Sequence, residues 1–398
     1  MSSTAPVESQ LREQRSHPPE LSVVLPCLNE EATLAVCIEQ VRDALQAHTI
    51  SGEIIVADNG STDKSRQIAQ DLGVRVVLVE NRGYGNALMG GINAARGKYI
   101  VIGDADCSYD FGQIPVFLQK LRSGCELVMG NRFQGGIRHG AMSPLHEYFG
   151  NPLLTGIGRL LFKAPCGDFH CGLRGFTRAA YERMRLRTTG MEFASEMIVK
   201  ASLFKMLVCE VPVTLSPDRR NRRSHLRSWH DGWRHLRFLL LYSPRWLFFY
   251  PGLALLFAGC TTALWLLPGP RRVGHIFLDV HTLLYATVAI LTGFQAVVFA
   301  FFTKVFGITE GLLPEDPRLT CAFRTFNLEK GLLAGAVLLL IGISIASYSF
   351  YIWSHAGFES MNPVVLVRLV AAVIVSTTLG VEIIFASFFL SIMGVGRK

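Results

Sequence analysis

Four apolar stretches in the second half of the chain limit its architecture more than any other feature. They run near Leu247–Leu267, Val280–Thr303, Gly331–Ser354 and Leu369–Met393. Each can cross a hydrocarbon core of roughly 30 Å, which takes about 20 helical residues. In lipid every backbone N–H and C=O must find a partner within its own segment, so such stretches are α-helices. The first carries Pro251 and Gly252 near its start, where a membrane helix tolerates them. The chain therefore reads as a flexible polar tail (1–20), a soluble α/β domain (21–216), a basic juxtamembrane segment (217–246) and an all-α membrane domain of four transmembrane helices (247–398).

Charge sets the expected topology. The tail has no apolar segment of the kind a secretory signal needs, so the soluble domain is expected to stay on the side of synthesis. Arg219, Arg220, Arg222, Arg223, Arg227, Arg234, Arg237 and Arg245 precede the first span. Lys304, Arg318, Arg324 and Lys330 lie between spans two and three, and Arg397 and Lys398 end the chain. The other loops hold Arg271 and Arg272, with Arg368 at the edge of span four. This bias places the soluble domain and both termini in the cytoplasm of a multi-pass protein of the plasma or inner membrane. The net charge of +8 comes largely from the juxtamembrane arginines. They interleave with Trp229, Trp233, Phe238 and Trp246, which favours an interfacial helix on anionic lipid over a nucleic-acid partner. The nine cysteines show no metal spacing, and in a cytosolic domain they are expected to be reduced, mostly buried thiols.

The soluble half alternates strands and helices. Strands are expected at Leu21–Leu25, Glu53–Ala57, Val74–Glu80, Lys98–Gly103 and Glu126–Gly130. Helices are expected near Ala32–Gln46, up to Leu72 with Ser61 or Thr62 as N-cap, from Gly85 to Arg96, and at Gln113–Arg122. Further helices are expected at Pro144–Lys163 and Met191–Phe204. This alternation means a mostly parallel sheet built by crossovers and flanked by helices. The run Tyr99–Gly103 then ends in two carboxylates, Asp104 and Asp106. At the carboxyl edge of a parallel sheet, where open α/β folds bind ligands, two hard oxygen donors suit a divalent cation that also holds a diphosphate. Alone the pair reads equally well as an acidic turn. Other strand ends add Asn29 and Glu30, Asp58, Arg82 with Gly83 and Gly85, and Asn131 with Arg132. Gly83-Tyr-Gly85 lacks the third glycine of a dinucleotide fingerprint.

With these motifs in hand, the chain resembles the family 2 glycosyltransferases of GT-A fold. More narrowly it is similar to membrane-anchored polyprenyl-phosphate glycosyltransferases of the dolichol-phosphate mannose synthase and undecaprenyl-phosphate sugar transferase type. The likeness runs over about Leu21 to Val213. It is carried by Leu25-Pro-Cys-Leu-Asn-Glu30, Val56-Ala-Asp-Asn-Gly-Ser-Thr-Asp63, Asn81-Arg-Gly-Tyr-Gly85, Gly103-Asp-Ala-Asp106, Gly130-Asn-Arg-Phe133 and Asp168-Phe-His-Cys-Gly-Leu-Arg-Gly-Phe176.

The resemblance implies that Pro26, Asn29, Glu30, Asp58, Arg82, Gly85 and Asp104 line the nucleotide-sugar pocket, with Asp58 facing the base. Asp104 and Asp106 match the metal-binding pair, implying Mg2+ or Mn2+. Two positions depart from the family pattern. Asn59 stands where a second Asp is common, and Ser108 where a metal-assisting Gln is common, which leaves water to complete the metal shell. Asp106, Arg132 and Asp168 are the candidate catalytic residues. Arg132, Arg138, His146, Arg174, Arg219, Arg222 and Ser224 are candidates for binding the acceptor's phosphate. Arg174 reads equally well as an ion-pair partner of Asp168. Glu196 falls where other family members place a catalytic carboxylate, with sugar-hydroxyl contact or a surface face as the favoured alternatives. Glu382, in mid-span four, is expected to pair with a polar group such as Gln295.

The implied activity is transfer of a sugar from a UDP- or GDP-sugar to polyprenyl phosphate at the cytoplasmic face. A phosphate nucleophile is already ionised at neutral pH, so it needs charge neutralisation and alignment rather than a general base. Direct displacement inverts the anomeric centre. A processive polysaccharide synthase is the first rival, but the chain has Ser243-Pro-Arg-Trp246 without the Gln-x-x-Arg-Trp element of those enzymes. A non-catalytic lipid-sugar translocation or scaffold protein is the second, opposed by the intact Asp104/Asp106 pair. A homo-oligomer is a further expected partner state.

Overall fold

A computed structural model describes residues 18–218, 228–317, 327–359 and 362–394. They form two compact units, one through Leu239 and one from Leu240 onward. The Arg219, Arg222 and Ser224 candidates lie outside the described residues.

The first unit is a seven-stranded sheet between helices. Its elements are β1 (Leu21–Cys27), α1 (Leu34–Ala47), β2 (Gly52–Asp58), α2 (Ser65–Asp71), β3 (Arg75–Leu78), α3 (Tyr84–Ala94), β4 (Tyr99–Ile102), α4 (Ile114–Arg122) and β5 (Leu127–Asn131). There follow a single turn, α5 (Arg132–Gly135), then a π-helical turn (Leu145–Gly150) that runs into α6 (Asn151–Phe162). β6 (Arg174–Thr177), α7 (Arg178–Met184), α8 (Phe193–Leu203), β7 (Val208–Pro212) and α9 (Ser228–Leu241) complete it. The strand order is β3-β2-β1-β4-β6-β5-β7. β1 pairs in parallel with β2 and β4, in register Val24↔Ile55 and Val24↔Ile102, and β5 is parallel to β7. β4 and β5 are buried throughout, and β1 at every residue but half-buried Pro26, which is why these strands read as largely apolar runs rather than alternating ones.

The sequence reading missed two strands of this sheet, β6 and the edge strand β7, which pairs in parallel with β5. β6 runs antiparallel between β4 and β5. Its four residues, Arg-Gly-Phe-Thr, are too short and too polar to signal a strand, and the sheet neighbours hold it in place. A second correction concerns α2. Neither Ser61 nor Thr62 caps it: the helix begins at Ser65, and Asp63 Oδ1 accepts the Ser65 N–H at 3.0 Å. Ser61 Oγ instead accepts the Asn29 N–H, and the Thr62 N–H goes to Asn29 Oδ1. The cysteine expectation also needs amendment. Cys27, Cys37, Cys107, Cys166 and Cys171 are buried thiols outside any disulfide, but Cys125 and Cys209 form one. Cys209 lies in β7 beside β5, and Cys125 lies two residues before β5, so adjacent parallel strands bring the two together.

Among its described residues the second unit holds four helices long and apolar enough to cross a membrane: Arg245–Leu266, Val280–Thr309, Leu328–His355 and Pro363–Met393. The third and fourth approach closely where Gly335 meets the Gly380 carbonyl, a small-residue packing common between membrane helices. Arg368 lies within the fourth helix rather than in a loop, and its Nη2 donates to Asp279 Oδ1 at 2.5 Å. Glu382 does not pair with Gln295: its Oε2 is buried with no hydrogen-bond partner among the described residues.

Candidate active site at the carboxyl edge of the sheet

The ends of β1 and β2 are laced together by side chains. Asn29 adopts a left-handed backbone, φ 59°, which Asn accommodates better than most residues. Its Oδ1 accepts the Thr62 N–H at 2.7 Å and the Thr62 hydroxyl at 3.3 Å. Asp58 is buried at the end of β2. It accepts the Ser61 N–H at 3.1 Å and the Arg66 Nε–H at 2.6 Å, so its carboxylate shapes this loop directly. Glu30 is buried as well, and its backbone N–H donates to Ser65 Oγ at 2.8 Å. Pro26 lies within β1, and Arg82 is exposed above Gly60.

Asn59 gives its departure from the family pattern a structural reason. Its Oδ1 accepts the Gly83 N–H at 2.7 Å, and its Nδ2 donates to the carbonyls of Val79 and Asn81. An aspartate has no N–H for those two carbonyls. The Gly83–Gly85 turn is in turn pressed against the Thr188–Thr189 backbone. A Cβ on Gly83 or Gly85 would collide with the carbonyl oxygen of Thr189 or Thr188, and Gly83 also has φ 137°. Gly85 is therefore required by backbone packing, quite apart from any nucleotide.

The 187–190 loop is held from beneath by Glu196. That carboxylate is 0 % exposed. It accepts the N–H groups of Arg187 and Thr188 and the Thr188 hydroxyl, and it pairs with Lys200 Nζ at 2.8 Å. Lys200 also donates to the Arg185 carbonyl. Glu196 is thus neither a surface residue nor open to a sugar: it anchors the loop that supports the Gly83–Gly85 turn.

At the end of β4, both carboxylates are oriented by neighbours. The Tyr84 hydroxyl donates to Asp104 Oδ1 at 2.9 Å. Burial, then the adjacent Asp104 charge, raises the Tyr84 phenol well above its ordinary pKa, so it remains a donor. Gly172 lies against Asp104 Oδ2, where any side chain would clash. Asp106 Oδ1 accepts both the N–H and the hydroxyl of Ser108, at 3.0 and 2.5 Å. Ser108 therefore sets the Asp106 carboxylate. Among the described residues no group of three or more His, Cys, Asp or Glu side chains is arranged to hold a metal. The donor set at this edge consists of two carboxylates, which fits a hard divalent ion that takes its remaining oxygens from a diphosphate and water.

Beyond Asp104 lies a buried ion pair. Arg132 is 7 % exposed and Asp168 is 0 % exposed. Arg132 Nε and Nη2 donate to the two Asp168 oxygens at 2.6 and 2.8 Å, in the planar fork geometry that guanidinium favours. This arrangement leaves Arg132 the two hydrogens of Nη1 and one of Nη2 for a ligand. Arg174 does not pair with Asp168. At 1 % exposed, it donates from Nε, Nη1 and Nη2 to the carbonyls of Cys171, Ala194 and Phe169. These bonds tie β6 to the start of α8, and the buried guanidinium is not open to a phosphate. Arg138 is exposed and His146 half-buried on the segment between α5 and α6. Four residues here escaped the sequence reading: Tyr84, Ser195, His170 and His235. Tyr84 and His170 sat inside quoted motifs, but no spacing rule marks what their side chains touch.

Comparison with known proteins follows the same division. The family model described as glycosyl transferase family 2 matches residues 22–185, and that described as the glycosyltransferase family 2 C-terminal transmembrane region matches residues 301–394. The low-salt glycan biosynthesis hexosyltransferase Agl6 of Haloferax volcanii is 40% identical over 378 residues, which is 94% of this chain and 89% of that protein. The dolichyl-phosphate beta-glucosyltransferase of Homo sapiens is 30% identical over 247 residues, 56% of this chain and 75% of that protein. Among solved structures, glucosyl-3-phosphoglycerate synthase from Mycobacterium tuberculosis in complex with uridine-diphosphate aligns with a TM-score of 0.45 at 21% identity, over 60% of this chain and 85% of that one. On the full-length match and the two family regions, the chain belongs to glycosyltransferase family 2, as a membrane-integral glycosyltransferase.

Proposed function

We propose that this enzyme transfers a hexosyl group from a nucleotide-diphosphate sugar to a polyprenyl phosphate at the cytoplasmic face of the membrane. The observation that carries the reading is the division of one sheet edge into two halves. The ends of β1 and β2, with Asn29, Glu30 and Asp58, form a nucleotide half, and Arg132, Asp168 and the turn that follows form an acceptor half. Asp104 and Asp106 stand at β4 between them. The full-length likeness to a hexosyltransferase and the partial likeness to a dolichyl-phosphate glucosyltransferase support the same chemistry. The arginine-rich approach to the first span supports the cytoplasmic orientation.

Each residue has a defined task in this mechanism. Asp104 and Asp106 would hold Mg2+ or Mn2+, which when bound offsets the negative charge of the donor diphosphate. Tyr84 and Ser108 keep those carboxylates aimed. Arg132, fixed by Asp168, presents Nη1 to the acceptor phosphate, while exposed Arg138 and half-buried His146 approach the same group from the segment before α6. An acceptor oxygen attacks the anomeric carbon as the bond to the nucleoside diphosphate breaks, so the product is inverted. No carboxylate is required as a base, in keeping with the buried structural role of Glu196.

The test is to incubate purified enzyme with polyprenyl phosphate, a divalent metal and a panel of UDP- and GDP-sugars, and to look for a lipid-linked product. Asp106→Ala should abolish turnover, and Arg132→Ala should act mainly on use of the lipid. Absence of product from every donor, despite nucleotide binding, would refute the reading.

A further inference from the structure

The turn from Asp168 to Gly172 contains a polar group whose bonding is incomplete. His170 donates its backbone N–H to Asp168 Oδ1 at 3.1 Å, which fixes the turn. The residue is half-buried but both ring nitrogens are shielded from solvent, and neither Nδ1 nor Nε2 has a hydrogen-bond partner among the described residues. Burying a donor and an acceptor without partners costs free energy, and in a native structure such a group calls for an explanation. Packing alone does not supply one, because an apolar side chain of the same size would fill the space without that penalty.

The surroundings are net positive. The ring stands edge-on to His235, with centroids 4.7 Å apart and planes at 84°. His235 is itself buried, with Nδ1 at 2.8 Å from Ser195 Oγ at the start of α8. Burial first, and then the proximity of His235, Arg132, Arg174 and His146, push the His170 imidazole well below its ordinary pKa. The carboxylate in this group, Asp168, is already engaged by Arg132 and by two backbone N–H groups. Arg174 forms no ion pair among the described residues, since its donors all end on carbonyls. A buried, net-positive enclosure with an unpartnered N–H is suited to an anionic oxygen.

The fold says which anion. His170 belongs to the turn entering β6, beside Arg132 at the end of β5, and Gly172 two residues on abuts Asp104. In the strand order β3-β2-β1-β4-β6-β5-β7 this is the opposite side of β4 from Asn29 and Asp58. We propose that His170 contacts the ligand in the acceptor half of the site, donating an imidazole N–H to an oxygen of the acceptor's phosphate, with His235 and Ser195 as positioning residues behind it. The naming of the acceptor rests on the sugar-transfer reading above; the phosphate contact itself is tested without turnover.

The experiment measures binding of farnesyl monophosphate to the full-length enzyme in detergent by titration calorimetry, with farnesol, inorganic phosphate and the nucleoside diphosphates UDP and GDP as separate arms. Three proteins are compared: wild type, His170→Met, which keeps bulk without an N–H, and His170→Gln, which restores one near Nε2. The expected result is that Met weakens farnesyl phosphate binding about tenfold, that Gln recovers most of it, and that nucleotide binding and melting temperature stay near wild type. Inorganic phosphate should compete with the lipid, and farnesol should bind much more weakly. The proposal is overturned if wild type does not bind farnesyl phosphate, if the Met variant binds it as tightly as wild type, or if farnesol binds equally well. It is also overturned if nucleotide binding falls in parallel in both variants, which marks a structural role. His170-dependent phosphate binding without sugar transfer would sink the transfer reading alone. Transfer with an unchanged acceptor KM in the Met variant would sink the His170 contact alone.

Discussion

Replacing Asp168 with Asn keeps the side-chain shape and removes one charge from the buried ion pair at the end of β5. Asp168 accepts Arg132 Nε and Nη2 and the backbone N–H groups of Arg132 and His170, at distances from 2.6 to 3.2 Å. An amide has one acceptor oxygen, and its NH2 would face a guanidinium that only donates. Arg132, which cannot shed its proton, is left buried without a counter-charge. Breaking a buried pair from one side costs about 3–5 kcal/mol. For a unit of roughly 200 residues, each kcal/mol moves the melting temperature by about 2–4 °C, so the first unit should melt about 6–20 °C lower. Scanning calorimetry of the full-length protein is the assay, because none of the five tryptophans precedes residue 229 and fluorescence would not report on the sheet. The double variant Arg132→Met/Asp168→Leu leaves neither charge unpaired and should recover at least half of the loss, since apolar replacement of a buried pair is often close to neutral. A single variant within about 2 °C of wild type, or a double variant worse than the two single losses added, would refute the idea that pairing rather than packing holds this turn.

Other expectations follow from the same geometry. Tyr84→Phe removes the donor to Asp104 while keeping the ring; Mn2+ affinity measured by electron paramagnetic resonance with nucleoside diphosphate present should fall about 10–100-fold, and an unchanged affinity would show that Tyr84 does not orient the carboxylate. Glu196→Gln strands the buried Lys200 and loosens the 187–190 loop, so it should lower stability by about 3–5 kcal/mol and weaken nucleotide binding through the Gly83–Gly85 turn; intact nucleotide affinity in a folded variant would disconnect the loop from the pocket. The depressed imidazole of His170 gives a signed pH dependence. As pH falls below the unfolded value near 6.5, the unfolded chain takes a proton that the folded chain refuses. Stability on this account is level above about pH 7 and drops below it by up to about 1.4 kcal/mol per pH unit, until the folded pKa is reached. The melting-temperature profile of His170→Gln should therefore be flatter than wild type between about pH 7 and pH 5, and parallel profiles would show that His170 does not titrate as its surroundings require.

The sequence by itself determined the two-part architecture, because each part obeys a rule readable along the chain. Four long apolar runs can only be helices in lipid, and apolar runs that end in Asn29, Asp58, Asp104 and Asn131 mark the carboxyl edge of a parallel sheet. The candidate residues were legible as far as chemistry and strand position go. What each side chain touches was not, since partners distant along the chain leave no periodic signal. The Arg132–Asp168 pair joins residues 36 apart, and the Asn29–Thr62 lacing joins residues 33 apart. The antiparallel β6, the Cys125–Cys209 link and the burial of Glu196 exist only because neighbouring strands and helices converge there. Tertiary structure thus decided which charges are locked into buried pairs and which stay exposed. The cost of a buried polar group depends on whether a partner meets it in space, and only the folded chain brings that partner near, or, at His170, leaves the imidazole without one.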